Sequence, residues 1–492
     1  VWNQTGGGAW SDAANWTVAP ANDETANVLF GDAIQAPATV TTGSGASFGY
    51  LAVDSGHAYT WRGGALTAGS PTNAGGMVVA RGAHTVDADL TIPSAMQLTI
   101  DAGASLRFDR ALSGAGSLTV AGGGTLSISN GPAAAVPLML DGVTFTALAS
   151  TTFNADLSLG ERGAVVAPSA GTTLTVATPV AGPGGLTKTG SSVLTLAEGA
   201  TFAGELLIRN GTVEMPDEPV GGLTIGEGTF KYTGENAVWP GGYTLRTTEN
   251  WQAATLDTDA DITFSGPIVA EQGAFIKWGS GTLTYSYAGE NQLSAGDNLG
   301  TGRLVLNRGA VGDSPTQGYR SYNVFNGRVV LGVPGQTNYF AQAVIIGGQS
   351  TQEPGAETEG HMVVNGGTII CEDYITVGRG NGSLITAPSG CESSFTLNDG
   401  EVFIPESKGV WLASMMNDMD SLTAKPQFIV NGGRLVTGAF YCGELGGTAR
   451  PRIEINGGAL VVGPRASMQL ACCSGCETVL DINGGALIIT NN

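Results

Sequence analysis

Charge is what this chain has least of. Asp, Glu, Lys and Arg together make up 13% of it, about half the share in ordinary globular proteins. Of its 492 residues only 21 are basic, against 42 acidic, a net charge of −21. That balance argues against nucleic acid as a partner, because phosphate backbones are held by clustered Lys and Arg. The acidic surplus serves solubility or attracts Ca²⁺. No apolar run approaches the roughly 20 residues that cross a bilayer, so no membrane span is expected. No cysteine precedes Cys371. Histidine occurs three times, at His57, His84 and His361, and none stands in an acid/base constellation; His361 reads as the edge of a strand. There is no G-x-S-x-G elbow, no H-E-x-x-H and no Asp-Asp pair. A hydrolase working on glycosidic bonds needs paired carboxylates across the scissile bond, and none is visible. The expectation is therefore a protein that is not an enzyme, with a polysaccharide lyase or glycosidase as the alternative.

Glycine is abundant instead, 77 residues, about twice the usual share. A hydrophobic content of 42% excludes a disordered chain, so the glycines belong to turns between strands. The clearest order lies in 362–492. Five copies of one phrase occur there: MVVNGGTII, FTLNDGEVF, FIVNGGRLV, IEINGGALV and LDINGGALI. Aligned on Asn365, Asn398, Asn431, Asn456 and Asn483, they form columns. Three before the Asn stand Met362, Phe395, Phe428, Ile453 and Leu480; one before it, Val364, Leu397, Val430, Ile455 and Ile482. Two after it stand Gly367, Gly400, Gly433, Gly458 and Gly485; four after it, Ile369, Val402, Leu435, Leu460 and Leu487. Apolar residues on alternate positions make a strand with one buried face. Asn-Gly-Gly supplies residues that tolerate positive φ, so the chain turns.

Repeats of this length mean a stacked architecture. The fold expected is all-β: a single-stranded, right-handed parallel β-helix, or β-solenoid, drawn out as an elongated rod. The right hand follows the crossover preference of parallel strands. A rung cannot stand alone, because its few buried aliphatics do not offset the entropy of ordering it; stacked neighbours supply the rest.

Taken in order, residues 1–31 crowd Trp2, Trp10 and Trp16 into the start. They read as a cap over the first rung, with a carbohydrate-stacking platform as the alternative. Residues 32–311 are Gly-broken strands of irregular rung length. Residues 312–361 form a less regular seam, with a partial rung at Asn326 and a protruding loop near 348–360. Regular Asn-Gly-Gly rungs fill 362–492. The start at Val1 is compatible with a processed chain. The last rung, LDINGGALIITNN, stops without a polar cap. Either the natural chain continues, or that end docks head-to-tail on another subunit and builds an open homopolymer.

Two stretches carry a resemblance: LTKTGSSVLTLAEGATFAGELLIRNGTVEM from Leu186, and FIKWGSGTLTYSYAGENQLSAGDNLGTGRLVLNRGAV from Phe275. They resemble the autotransporter-associated β-strand repeat. Lys188, Gly190, Leu194, Leu196, Phe202, Gly204, Asn210 and Gly211 match its pattern in the first copy. Lys277, Gly279, Gly281, Leu283, Gly302, Leu304 and Asn307 match it in the second. Ser192 replaces one glycine, and Arg308 interrupts the second Asn-Gly. The resemblance implies a secreted bacterial parallel β-helix, extracellular or at the cell surface, acting as scaffold, adhesin or fibre subunit. It is weak for function, because the family is defined by architecture. Surface polysaccharide is the other partner to consider.

Three groups are candidates for chemistry. Asp257, Asp259 and Asp261 alternate in ATLDTDADITF, which places three carboxylates on one strand face; they are either solvated or a weak site for structural Ca²⁺. No other cofactor is implied. Asn417, Asp418 and Asp420 make a poorer group at a loop tip. The six cysteines, Cys371, Cys391, Cys442, Cys472, Cys473 and Cys476, all fall in the C-terminal part of the chain. Rungs about 4.8 Å apart admit a disulfide with slight distortion, and Cys442–Cys472 is the first choice. Cys391 and Cys476 hold the same place relative to the Asn that follows each, and unpaired buried thiols are the alternative.

Overall fold

A computed structural model describes residues 1–129, 136–246, 253–285, 302–306, 310–312, 322–324, 327–331, 334–335, 337–340, 343–348, 360–379, 392–413, 425–443, 449–463, 468–470 and 476–490. Apart from one 3-10 turn at Ala13–Asn15, the regular structure among them is strand, and the strands pair in parallel. The chain is an all-β parallel solenoid, and its sheets do not close into a barrel. Two compact units divide it: Val1–Thr224 with Gly228–Lys231, and Ile225–Glu227 with Tyr232–Asn492.

In the first unit strands come in threes. Tyr59–Arg62, Leu66–Ala68 and Gly75–Arg81 make one turn; Ala83–Asp87, Leu90–Thr91 and Met96–Ile100 make the next. Each strand pairs with its counterpart one turn on: Trp61 with Val86, Leu66 with Leu90, Leu98 with Met77. The cause is alternation. Ser105–Phe108 and Thr125–Ile128 bury every second residue, so like positions stack and a column Val40, Trp61, Val86, Phe108, Ile128, Ala147 runs through the core. The step between turns is not constant. Leu106, Leu126, Phe145 and Val166 pair in succession, yet no two of the three intervals between them are equal.

Trp2, Trp10 and Trp16 fold inward over Phe30, with ring centroids 5.6, 5.9 and 5.5 Å from it. All three indoles are buried, and Trp16 donates from Nε1 to the carbonyl of Trp10 at 2.8 Å. Their faces are spent on the core, so they offer no stacking platform to a sugar in solution.

In the second unit the pairing register reproduces the Asn-aligned columns. Met362, Phe395, Phe428, Ile453 and Leu480 pair in succession. So do Ile369, Val402, Leu435, Leu460 and Leu487 in a separate six-stranded sheet. The aliphatics from Ile369 to Leu460 are at most 1% exposed. Gly367, Gly400, Gly433 and Gly458 take φ between 65° and 91°. A Cβ at Gly433 would lie 2.3 Å from the carbonyl oxygen of Gly400, and one at Gly458 2.2 Å from that of Gly433. Glycine is thus needed twice over, for its backbone and for the closeness of the rungs. Gly485 departs from the expectation: it stands outside the left-handed region, and a Cβ there would run into the Ile455 side chain instead. The expected partial rung at Asn326 and most of the loop near 348–360 lie outside the described residues.

Candidate functional site

The repeated asparagines form one hydrogen-bonded ladder. Asn398 donates from Nδ2 to Oδ1 of Asn365 at 2.8 Å, Asn431 to Asn398 at 2.8 Å, Asn456 to Asn431 at 2.9 Å and Asn483 to Asn456 at 2.8 Å. Every amide points the same way. The turn that follows each strand presents the carboxamide outward, and all five are exposed. Each bond contributes modestly in water, but each also fixes the turn that places the next glycine.

The least expected feature is a pair of buried lysines. Lys188 and Lys277, the lysines of the two resembling repeats, are both 0% exposed. In register, Lys188 stacks between Val166 and Ile208, and Lys277 beside Leu256, so each fills an aliphatic column. The Lys188 ammonium donates to the carbonyls of Thr189, Gly190 and Asn210 at 2.9, 2.7 and 3.2 Å. Lys277 donates to those of Thr258, Trp278 and Gly279 at 3.0, 2.6 and 3.0 Å. Three N–H bonds meet three carbonyls drawn from two successive rungs. The turns are built around the ammonium: a Cβ on Gly211 would sit 2.7 Å from Lys188 Nζ. Burial pushes each lysine down to about 8; for Lys277 the carboxylates of Asp257, Asp259 and Asp261 pull the other way. A sealed ammonium with every N–H engaged is a clamp and not a nucleophile. The Lys-x-Gly spacing is visible in the sequence, but its acceptors are backbone atoms and leave no residue signature.

The three aspartates are placed differently from the expectation. The strand ends at Thr258, whose hydroxyl donates to the carbonyl of Ala260 and accepts from its N–H, both at 3.1 Å, closing a turn. Alternation therefore stops after Asp257. Asp259 accepts from the Ser280 N–H and hydroxyl at 2.8 and 2.9 Å, and Asp261 from the Thr282 N–H at 2.7 Å. Two of the carboxylates are thus occupied in tying down the next rung. Among the described residues, no group of three or more His, Cys, Asp or Glu gathers as a metal site requires. A shallow open depression nearby is lined by Gly234, Glu235, Asn236, Asp259 and Ala260. Asn417, Asp418 and Asp420 lie outside the described residues.

Cys442 is buried, in register with Leu412. Its expected partner Cys472 lies outside the described residues, as do Cys391 and Cys473. Burial pushes the Cys371 thiol up to about 12, and its Sγ lies 3.6 Å from the carbonyl of Tyr374. His84 is a core residue: Nδ1 accepts from the Tyr59 N–H at 3.0 Å and Nε2 lies 2.7 Å from the Arg81 carbonyl. That pattern fits the neutral ring with its proton on Nε2, and burial lowers its pKa. Nδ1 of His361 lies 2.9 Å from the Ser394 hydroxyl at the edge of its strand. Among the described residues no helix is long and apolar enough to cross a membrane. No family model, curated protein or solved structure matches this chain.

Proposed function

We propose that the chain is a structural scaffold acting outside the cell, a non-catalytic solenoid whose work is to hold a surface in fixed shape. The observation that carries this reading is the asparagine ladder. Five successive rungs keep one register although 33, 33, 25 and 27 residues separate their asparagines. Repetition of this kind devotes sequence to making each rung like the last, whereas a reaction site needs local departures from the pattern. Support for export comes from the two repeats around Lys188 and Lys277, which resemble autotransporter-associated repeats and bury a lysine at the same motif position, each bonded to the carbonyls one and two residues on. The test is incubation with acidic and neutral polysaccharides, with and without Ca²⁺, following reducing ends and the absorbance of unsaturated products. The scaffold reading expects no bond cleavage; sustained turnover in any arm overturns it.

A second reading, polysaccharide binding, has one specific observation behind it. Trp411 and Tyr441 stand on adjacent rungs, half-buried, with ring centroids 6.0 Å apart and planes within 14°. Stacked outward-facing rings suit the apolar faces of sugars. Co-sedimentation with insoluble glucans and Trp411→Ala as the control would separate binding from a purely structural role.

A further inference from the structure

The six-stranded sheet of the second unit runs Thr337–Phe340, Thr368–Cys371, Glu401–Phe403, Arg434–Thr437, Ala459–Val462 and Ala486–Ile489. It turns one row of aliphatics into the core. The row between, facing out, is Tyr339, Ile370, Phe403, Val436, Val461 and Ile488, each paired in register with the next. The only polar atom in it is the hydroxyl of Tyr339 at one end, which bonds Glu372. The corresponding outward row of the neighbouring ten-stranded sheet is mixed: Val363, Thr396, Ile429, Glu454 and Asp481. Val461 is the most covered of the apolar row at 7%, Ile488 the most open at 44%, and the remaining four are half-buried. Beside this row runs a second outward column in which Glu401 and Arg434 are neighbours, both exposed.

We propose that this face docks on the same face of a second copy of the chain, the two lying antiparallel about a two-fold axis. The axis runs along the strand direction, between the Glu401 and Arg434 rungs. Such an axis keeps each column opposite itself and reverses the order of the rungs. Glu401 then meets the partner's Arg434, and Arg434 the partner's Glu401, as an isologous contact requires. The same operation sets Phe403 against the partner's Val436, Ile370 against the partner's Val461, and Tyr339 against the partner's Ile488. Larger residues meet smaller ones along most of the row. A shift by one rung would place Glu401 against the partner's Glu401. A parallel pair would carry the charged column to the far side of the row, away from any counter-charge. The occupant is therefore specified by self-complementary charge flanking an apolar row that is open at every position but Val461, packed as two aligned sheets about 10 Å apart.

The test is sedimentation velocity and light scattering on the full chain. The wild type is expected to be a dimer that dissociates on dilution. Glu401→Arg and Arg434→Glu, each alone, place like charges across the axis and weaken the dimer about tenfold or more. The double reversal E401R/R434E restores it. Phe403→Glu, checked for unchanged circular dichroism, gives monomer, while Gln427→Glu on the ten-stranded sheet leaves the dimer intact. If a charge reversal fails to fold, Glu401→Gln and Arg434→Gln replace it, each expected to weaken the dimer and leave the melting curve in place. A monomeric wild type, a dimer indifferent to both single changes, or a folded double reversal that stays monomeric overturns the proposal.

Discussion

Asn431 hands its Nδ2 proton to Oδ1 of Asn398 at 2.8 Å, and receives one from Asn456 at 2.9 Å. It sits mid-ladder with both halves of its amide engaged. Asn431→Ala removes two exposed hydrogen bonds and is expected to lower the unfolding free energy by about 1–2 kcal/mol. Asn431→Asp keeps the acceptor but sets a carboxylate against the Asn398 oxygen. It should cost more than alanine at neutral pH and recover on acidification, when the carboxyl regains a proton to donate. Urea midpoints at several pH values check both.

Gly433 and Ala413 make a matched pair of backbone tests. Gly433→Ala imposes a left-handed conformation on an L residue and drives a Cβ to 2.3 Å from the Gly400 carbonyl oxygen. A loss of about 3 kcal/mol or more is expected. Ala413 is the non-glycine residue at positive φ among those described, 55°, where adjacent rungs place Gly378 and Gly443 at 71°. Ala413→Gly relieves that conformation but gives up a buried methyl packed with Ala449 and Cys476, so the two terms nearly cancel and the change is expected to stay within about 1 kcal/mol. Thermal or urea unfolding should therefore show a large loss for Gly433→Ala and a small shift for Ala413→Gly.

The clamped lysines predict how stability changes in alkaline solution. Their folded value of about 8 lies below the ordinary 10.5. Between those values the unfolded chain binds the proton more tightly, so stability rises as pH climbs from about 8 toward 10.5. Cys371 opposes this from about pH 9 and Tyr59 from about pH 10, because burial raises both to about 12 and the unfolded chain ionises first. The clean window is therefore about pH 8–9. Lys188→Met and Lys277→Met together should abolish the rise. Each should also cost stability at pH 7, about 1–3 kcal/mol for Lys277→Met, whose acceptors include the carbonyl of buried Thr258, and less for Lys188→Met, whose acceptors Gly190 and Asn210 are exposed and open to water.

His84 predicts the acid side. Burial holds its folded pKa below the ordinary 6.5, so its contribution is complete above 6.5 and is lost as pH falls through the lower folded value. Protonation also places an N–H where Nδ1 accepts from Tyr59. A His84→Gln variant should be less stable at pH 7 and flatter in stability between pH 6.5 and 4.

The regular rungs are legible because one column rule, read from Asn365 to Asn483, holds in every copy and maps directly onto the pairing register. In the first unit the alternation is equally clear, but the step between turns changes at each interval across Leu106, Leu126, Phe145 and Val166. No fixed period exists there to be found. The Asp257–Asp261 alternation breaks locally, because the Thr258 hydroxyl closes a turn that a period of two does not foresee. The lysine clamps have no legible role in the motif, since a lysine in a strand is usually solvated and only its three carbonyl partners explain why it is buried.

The ladder does not depend on how much chain lies between its members. Asn398 and Asn431 are 33 residues apart, Asn431 and Asn456 only 25, yet the two bonds measure 2.8 and 2.9 Å. Peptide comes and goes between them without altering the stack. Such a molecule can be lengthened by copying a block, shortened by excising one, or loaded with foreign sequence between one ladder member and the next. Heredity is thereby free to vary the sequence between the rungs while the frame stays the same.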